Sequence, residues 1–169
     1  MAKSIIMKKI KFTLILILIT TITFAQESPR KQATGKIGEV TVTIDYGSPF
    51  VKGRTIWGGL VKYGKVWRAG ANENTTFSFD KEVTIGGALV PAGKYGFFII
   101  PNENKDWVLI LNKKNDGWGA FSYNKEEDIV RLNVAPKFVD TNQESLMYSI
   151  VAKGIQLAWG KMRITLPVK

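Results

Sequence analysis

The chain has 169 residues, 45% of them hydrophobic, with a formal charge of +10 and neither Cys nor His. That length suits one globular domain with a core of its own. Without Cys there is no disulfide framework, thiol nucleophile or lipid-modified cysteine, and without His there is no Ser–His–Asp triad and no ordinary zinc site.

Met1–Lys11 carries positive charge, Phe12–Phe24 is almost wholly Leu, Ile, Phe and Thr, and Thr23-Phe24-Ala25 closes the run with small residues. Charged, apolar and small-residue segments in that order predict a secretory signal peptide cut after Ala25. The apolar run is shorter than the roughly 20 residues a spanning helix needs. The expected product is an exported protein of the periplasm or cell surface, with no membrane span after cleavage. Loss of residues 1–25 removes four lysines and no acid, so the charge falls from +10 to +6. The remaining basic residues are scattered among acids, a solubility pattern rather than a nucleic-acid footprint.

Residues 26–38 are polar and read as a lead-in arm to a single domain over 39–169. Val40–Tyr46 alternates strictly, with Val40, Val42, Ile44 and Tyr46 on one face of a half-buried strand. Residues 50–75 hold five glycines among Trp57, Tyr63 and Trp67, follow no period, and are expected to form an ordered loop with a short helical turn. Strands are expected again at Thr76–Phe79 and Glu82–Ile85, with Gly86-Gly87 as a tight hairpin turn before Ala88-Leu89-Val90.

Lys94–Ile100 and Trp107–Leu111 are apolar runs divided by a polar hairpin loop. Asn115-Asp116-Gly117 is a turn. The wider segment Asn112–Gly117 has a faint look of a calcium loop but lacks the alternating acids and the distal Glu. Asp128–Val134 alternates, and Leu146, Tyr148, Ile150 and Ala152 share one face of the next strand. In the last segment Ile155, Leu157 and Trp159 share one parity and Met162, Ile164 and Leu166 the other, which predicts a β-bulge at Gly160. Many short strands with frequent turns predict an all-β domain, an antiparallel β-sandwich or partly closed, jelly-roll-like barrel, preceded by the cleavable signal helix.

From Ser28-Pro29-Arg30 to its end the chain resembles a family of exported bacterial proteins catalogued as domain of unknown function 2911. The likeness is carried by Asp45-Tyr46-Gly47-Ser48-Pro49, Val51-Lys52-Gly53-Arg54 and Ile56-Trp57-Gly58-Gly59-Leu60-Val61. It continues through Tyr63-Gly64-Lys65-Val66-Trp67-Arg68, Gly70-Ala71-Asn72-Glu73 and Pro91-Ala92-Gly93-Lys94-Tyr95-Gly96. Trp107 with Asn112, and Trp118-Gly119-Ala120, complete it. The resemblance implies export and a β-rich fold and carries no activity with it.

The richest polar cluster is Lys52, Arg54, Arg68, Asn72 and Glu73, interleaved with glycine and Trp57. Guanidinium forks suit carboxylate, sulfate or phosphate, and an exposed indole suits a sugar ring, so these six residues form the candidate ligand site. The plainer reading is a loop brace, with Arg54 or Arg68 paired to Glu73 or Asp45. Trp107 and Trp159 sit on apolar strand faces and read as core, whereas Trp57 and Trp118 lie beside glycines and fit either core or ligand platform. Asp45, Glu73 and Asp128 are the carboxylates a glycosidase-like hydrolase would need. No residue is assigned a catalytic role, and no metal or cofactor is expected. The leading expectation is a non-enzymatic module for an anionic small molecule or glycan fragment. The alternatives are an envelope interaction domain and a carboxylate-dependent hydrolase.

Overall fold

The structure is a computed structural model that describes residues 28–169, so the signal segment Met1–Ala25 lies outside the described residues. Ten strands appear in chain order: β1 (Arg30–Ile37), β2 (Val40–Gly47), β3 (Thr76–Phe79), β4 (Val83–Ile85), β5 (Ala88–Val90), β6 (Gly93–Ile100), β7 (Trp107–Asn112), β8 (Asp128–Val134), β9 (Lys137–Val151) and β10 (Gly154–Pro167). Among the described residues the only helix is a single 3-10 turn, Lys125–Glu127. No helix there is long and apolar enough to cross a membrane.

All ladders are antiparallel. Six strands form one sheet in the order β1-β2-β3-β6-β7-β8, β9 and β10 form a long ribbon, and β4 and β5 a small hairpin. The ribbon lies across the sheet, with β9 against β1 and β10 approaching β8. No hydrogen-bonded ladder joins the layers at those edges, so the domain is a sandwich of unequal layers and not a closed barrel.

Alternation decides the faces. Val42, Ile44 and Tyr46 of β2, Phe77 and Phe79 of β3, and Phe97 and Ile99 of β6 point into the interlayer core, all buried. They meet Leu146 and Tyr148 of β9 and the inward residues of β10. Gly160 breaks the β9–β10 register on both sides and adopts φ +58, which lets Trp159 and Met162 both face inward across the bulge. The Gly86-Gly87 hairpin also forms as expected, with φ +60 and +86.

Three segments differ from the sequence reading, one of them the polar first half of β9, Lys137–Gln143, for which no strand was expected. Within the polar stretch read as a lead-in arm, Arg30–Ile37 is strand β1, paired to β2 along its whole length. It is an edge strand with little buried surface, so its composition gave no apolar alternation to detect. Residues 50–75 contain no helical turn. They are pinned to the sheets by isolated bridges, Phe50 to Ser145 of β9 and Trp67 to Ile99 of β6.

The outer face of the large sheet carries one covered patch. Phe98 and Ile110 are buried there, and Phe98 packs edge-on against Tyr123 of the β7–β8 connection at 5.1 Å. Buried Asn112 fastens that connection. Its amide donates to the Asn124 carbonyl (2.8 Å) and Asp128 Oδ1 (2.7 Å), and its oxygen accepts from the Lys114 amide (2.8 Å).

Candidate functional site

The β2–β3 connection builds the site. Trp67 exchanges two backbone hydrogen bonds with Ile99 of β6, and Thr75 accepts the next from Phe97. Trp67 and Thr75 thus both lie along β6, and the seven residues Arg68–Asn74 bulge outward between them. Two of those residues, Ala69 (φ +51) and Asn72 (φ +62), hold left-handed backbone conformations that cost a side-chain-bearing residue of order 1 kcal/mol each. Buried hydrogen bonds over-determine the first: the Ala69 carbonyl accepts from Thr75 Oγ1 (3.2 Å) and from the Tyr148 hydroxyl (2.7 Å). Asn72 is held by its carbonyl, which accepts from the Gly119 amide (2.9 Å). Glycines complete the fit. A Cβ on Gly47 would stand 2.0 Å from the Ala71 carbonyl oxygen, and one on Gly70 would meet Thr75 Oγ1 at 2.6 Å.

Between this bulge and the start of the connection lies a cleft of about 260 Å³. Pro49, Arg54 and Leu60 from the start of the connection and Arg68 and Asn72 from the bulge line it, together with Trp67 and Trp159. Beside it Trp57, Trp67, Trp107 and Trp159 form one cluster. Trp57 packs on the other three at centroid distances of 4.6–5.8 Å, and Trp67 stacks on Trp159 at 5.8 Å. Trp67 donates its indole N–H to the Gly70 carbonyl (3.1 Å), so the cluster is tied directly to the bulge.

The polar inventory of this cleft is unbalanced. Among the described residues, Arg68 Nε is buried with no hydrogen-bond partner, and so is the indole nitrogen of Trp159. Both atoms are donors on residues that line the cleft. Burial also lowers the pKa of the Arg68 guanidinium from its ordinary value, with no acid contributing in the other direction. Arg54 is exposed and folds back on its own loop, donating from Nε to the Val51 carbonyl (3.1 Å) and from Nη2 to the Phe50 carbonyl (2.6 Å).

The six sequence-derived site residues therefore separate. Arg54, Arg68 and Asn72 line the cleft. Trp57 supports it from the Trp cluster, Lys52 extends over the Phe50 ring at 6.0 Å, and Glu73 faces the other side of the bulge. The brace in which Arg54 or Arg68 pairs with Glu73 or Asp45 is not formed. Both acids turn to Arg30 of β1, at 3.2 Å for Asp45 and 3.8 Å for Glu73. Arg30 wins because β1 pairs with β2 in a register that sets it beside the strand carrying Asp45. Its guanidinium also donates to the Asn74 carbonyl (3.0 Å), which fastens the bulge to the sheet edge.

The third carboxylate, Asp128, opens β8 and does not line the cleft. It accepts from the Tyr123 hydroxyl (2.7 Å), from Asn112 and from Arg131, and so holds the β7–β8 connection. Trp159 contributes a buried donor that the sequence reading assigned wholly to the core. No local signal in the sequence marks that donor, because an indole on an apolar strand face reads as core whether or not its N–H is paired.

No curated protein and no solved structure matches the chain. A family model matches residues 28–168, nearly all of the described chain. The protein belongs to the family described as Protein of unknown function (DUF2911).

Proposed function

We propose that the domain is a non-enzymatic binding module that takes a small anion, a carboxylate above all, in the cleft between Arg54 and Arg68. One observation carries this reading: two buried donors, Arg68 Nε and Trp159 Nε1, have no acceptor and sit on residues of the same cleft. A buried unpaired donor is costly, and a planar carboxylate offers the acceptors that a guanidinium edge and an indole N–H lack. The cleft's volume suits a small metabolite-sized acid rather than a polymer. The strained backbone at Ala69 and Asn72 fits a site in which geometry is fixed in advance of the ligand.

Export to the periplasm or cell surface belongs to the same proposal and rests on the order of segments in residues 1–25. N-terminal mass spectrometry of protein taken from the producing cell should find Gln26 first, and a retained Met1–Ala25 segment would remove this part of the reading.

The binding test is thermal denaturation of the parent and of Arg68→Met with acetate, lactate, pyruvate, succinate, phosphate and sulfate. The expected result is a saturable rise in Tm for at least one carboxylate in the parent and none in the variant. Equal responses in both proteins, or no response to any of these anions, would sink the proposal.

A further inference from the structure

On the other side of the bulge the outer face of the six-stranded sheet carries a second hollow of about 330 Å³. It shares no lining residue with the Arg68 cleft. Here the imbalance has a different sign. Asn74 and Thr76 line the hollow and are each 2% exposed, yet Asn74 Oδ1 and Thr76 Oγ1 have no hydrogen-bond partner among the described residues. One is a pure acceptor, and the other is a hydroxyl that can both accept and donate. Such a site requires a ligand that brings O–H or N–H donors.

The charges around the hollow compensate one another. Arg30 is engaged by Asp45 and Glu73, and Asp116 is paired with Lys114 at 2.9 Å. The lining itself holds Arg30 and Lys94 against Glu73 and Asp116. A charged ligand therefore finds no net opposite charge here, whereas it does at Arg68.

At the rim stands Trp118, 60% exposed, and among the described residues no aromatic ring packs against it. Its position is fixed by backbone. Residue 118 bridges Glu73, and the Asn74 amide donates to the Gly117 carbonyl (2.8 Å). The approach of this segment to the sheet depends on Gly96, where a Cβ would stand 2.1 Å from the Lys114 carbonyl oxygen. An exposed indole on a pinned backbone, beside buried unpaired acceptors in a charge-balanced hollow, matches the chemistry of a pyranose ring, whose C–H face stacks and whose hydroxyls hydrogen-bond.

We infer that the hollow bounded by Asn74, Thr76 and Trp118 is a subsite for a neutral saccharide, independent of the anion cleft. The test is a ¹H–¹⁵N NMR titration of the protein with cellotetraose, maltotetraose and N-acetylchitotetraose. At least one should produce saturable shifts of the Trp118 indole N–H and the Asn74 side-chain amide, and these shifts should be insensitive to salt. Trp118→Ala and the isosteric Thr76→Val should each weaken that binding by about tenfold or more. Arg68→Met should leave it unchanged. The inference fails if none of the three sugars binds, if binding persists in both Trp118→Ala and Thr76→Val, or if Arg68→Met abolishes it.

Discussion

Replacing Arg68 by Met tests whether a charge is held ready for a ligand at the expense of stability. Met keeps an unbranched apolar stem along the cleft wall and drops the guanidinium. In the parent, burial depresses the guanidinium pKa, and Nε is buried without an acceptor. A buried unpaired donor costs about 1–3 kcal/mol, and the low end applies because the side chain is only half-buried. The variant should therefore be more stable than the parent by about 1 kcal/mol, or about 3 °C in Tm for a domain of this size. The order should invert with ligand. At a carboxylate concentration of about 100 times Kd the parent gains about 2.7 kcal/mol and the variant nothing. Urea denaturation of both proteins with and without the acid measures all four stabilities. A loss of 1 kcal/mol or more in ligand-free Arg68→Met would show that Arg68 is a structural brace, and the argument from the unpaired donor would fall.

Gly47→Ala should unfold the domain or cost at least about 3 kcal/mol, because its Cβ would stand 2.0 Å from the Ala71 carbonyl oxygen and force the bulge off β2; circular dichroism and urea denaturation would read this. Asn112→Ala removes three hydrogen bonds at a buried position and should cost about 3 kcal/mol. Its readout is limited proteolysis, with cleavage within residues 113–124 accelerated by about a hundredfold. Burial, and then the hydrogen bond to Asp128, push the Tyr123 hydroxyl up to about 12. A group whose folded pKa is raised contributes fully below its unfolded value, about 10, and loses that contribution as pH climbs through the folded one. Partial solvation limits the effect to about 1 kcal/mol, lost between about pH 10 and 12. NMR titration of the Tyr123 ring should show that midpoint falling in Asp128→Asn.

Where one face of a strand is buried and the other wet, the chain states the fold openly. Val40–Tyr46 and Asp128–Val134 alternate because their inward residues meet the core and their outward ones meet water, and both are strands in the structure. The bulge at Gly160 was legible for the same reason, since a parity switch has no other economical explanation in a continuous strand. Strand β1 was illegible because it buries almost nothing. Its existence depends on backbone pairing to β2, and backbone groups are identical in every sequence. The polar half of β9, from Lys137 to Gln143, was missed for the same cause, as its side chains are nearly all exposed.

The site was legible as a region and obscure as an arrangement. Lys52, Arg54, Trp57, Arg68, Asn72 and Glu73 fall within one aperiodic connection, and glycines with aromatics marked it as built rather than slack. What divides them is the long-range hydrogen bonding that bends Arg68–Asn74 outward between two residues pinned to β6. That bend sends Arg68 to one side and Glu73 to the other. Arg30, more than forty residues before Glu73 in the chain, then takes the acid that local proximity would have given to Arg68. An acid withheld from one arginine by another leaves Arg68 Nε buried without an acceptor, and the proposed anion site rests on that unspent donor. The same pairing makes Arg30 the residue to probe for coupling. Arg30→Gln should free Glu73 and loosen the Asn74 carbonyl, weakening anion binding at Arg68 without touching the cleft. An unchanged affinity in that variant would mean that the bulge holds its shape without the clamp at its far side.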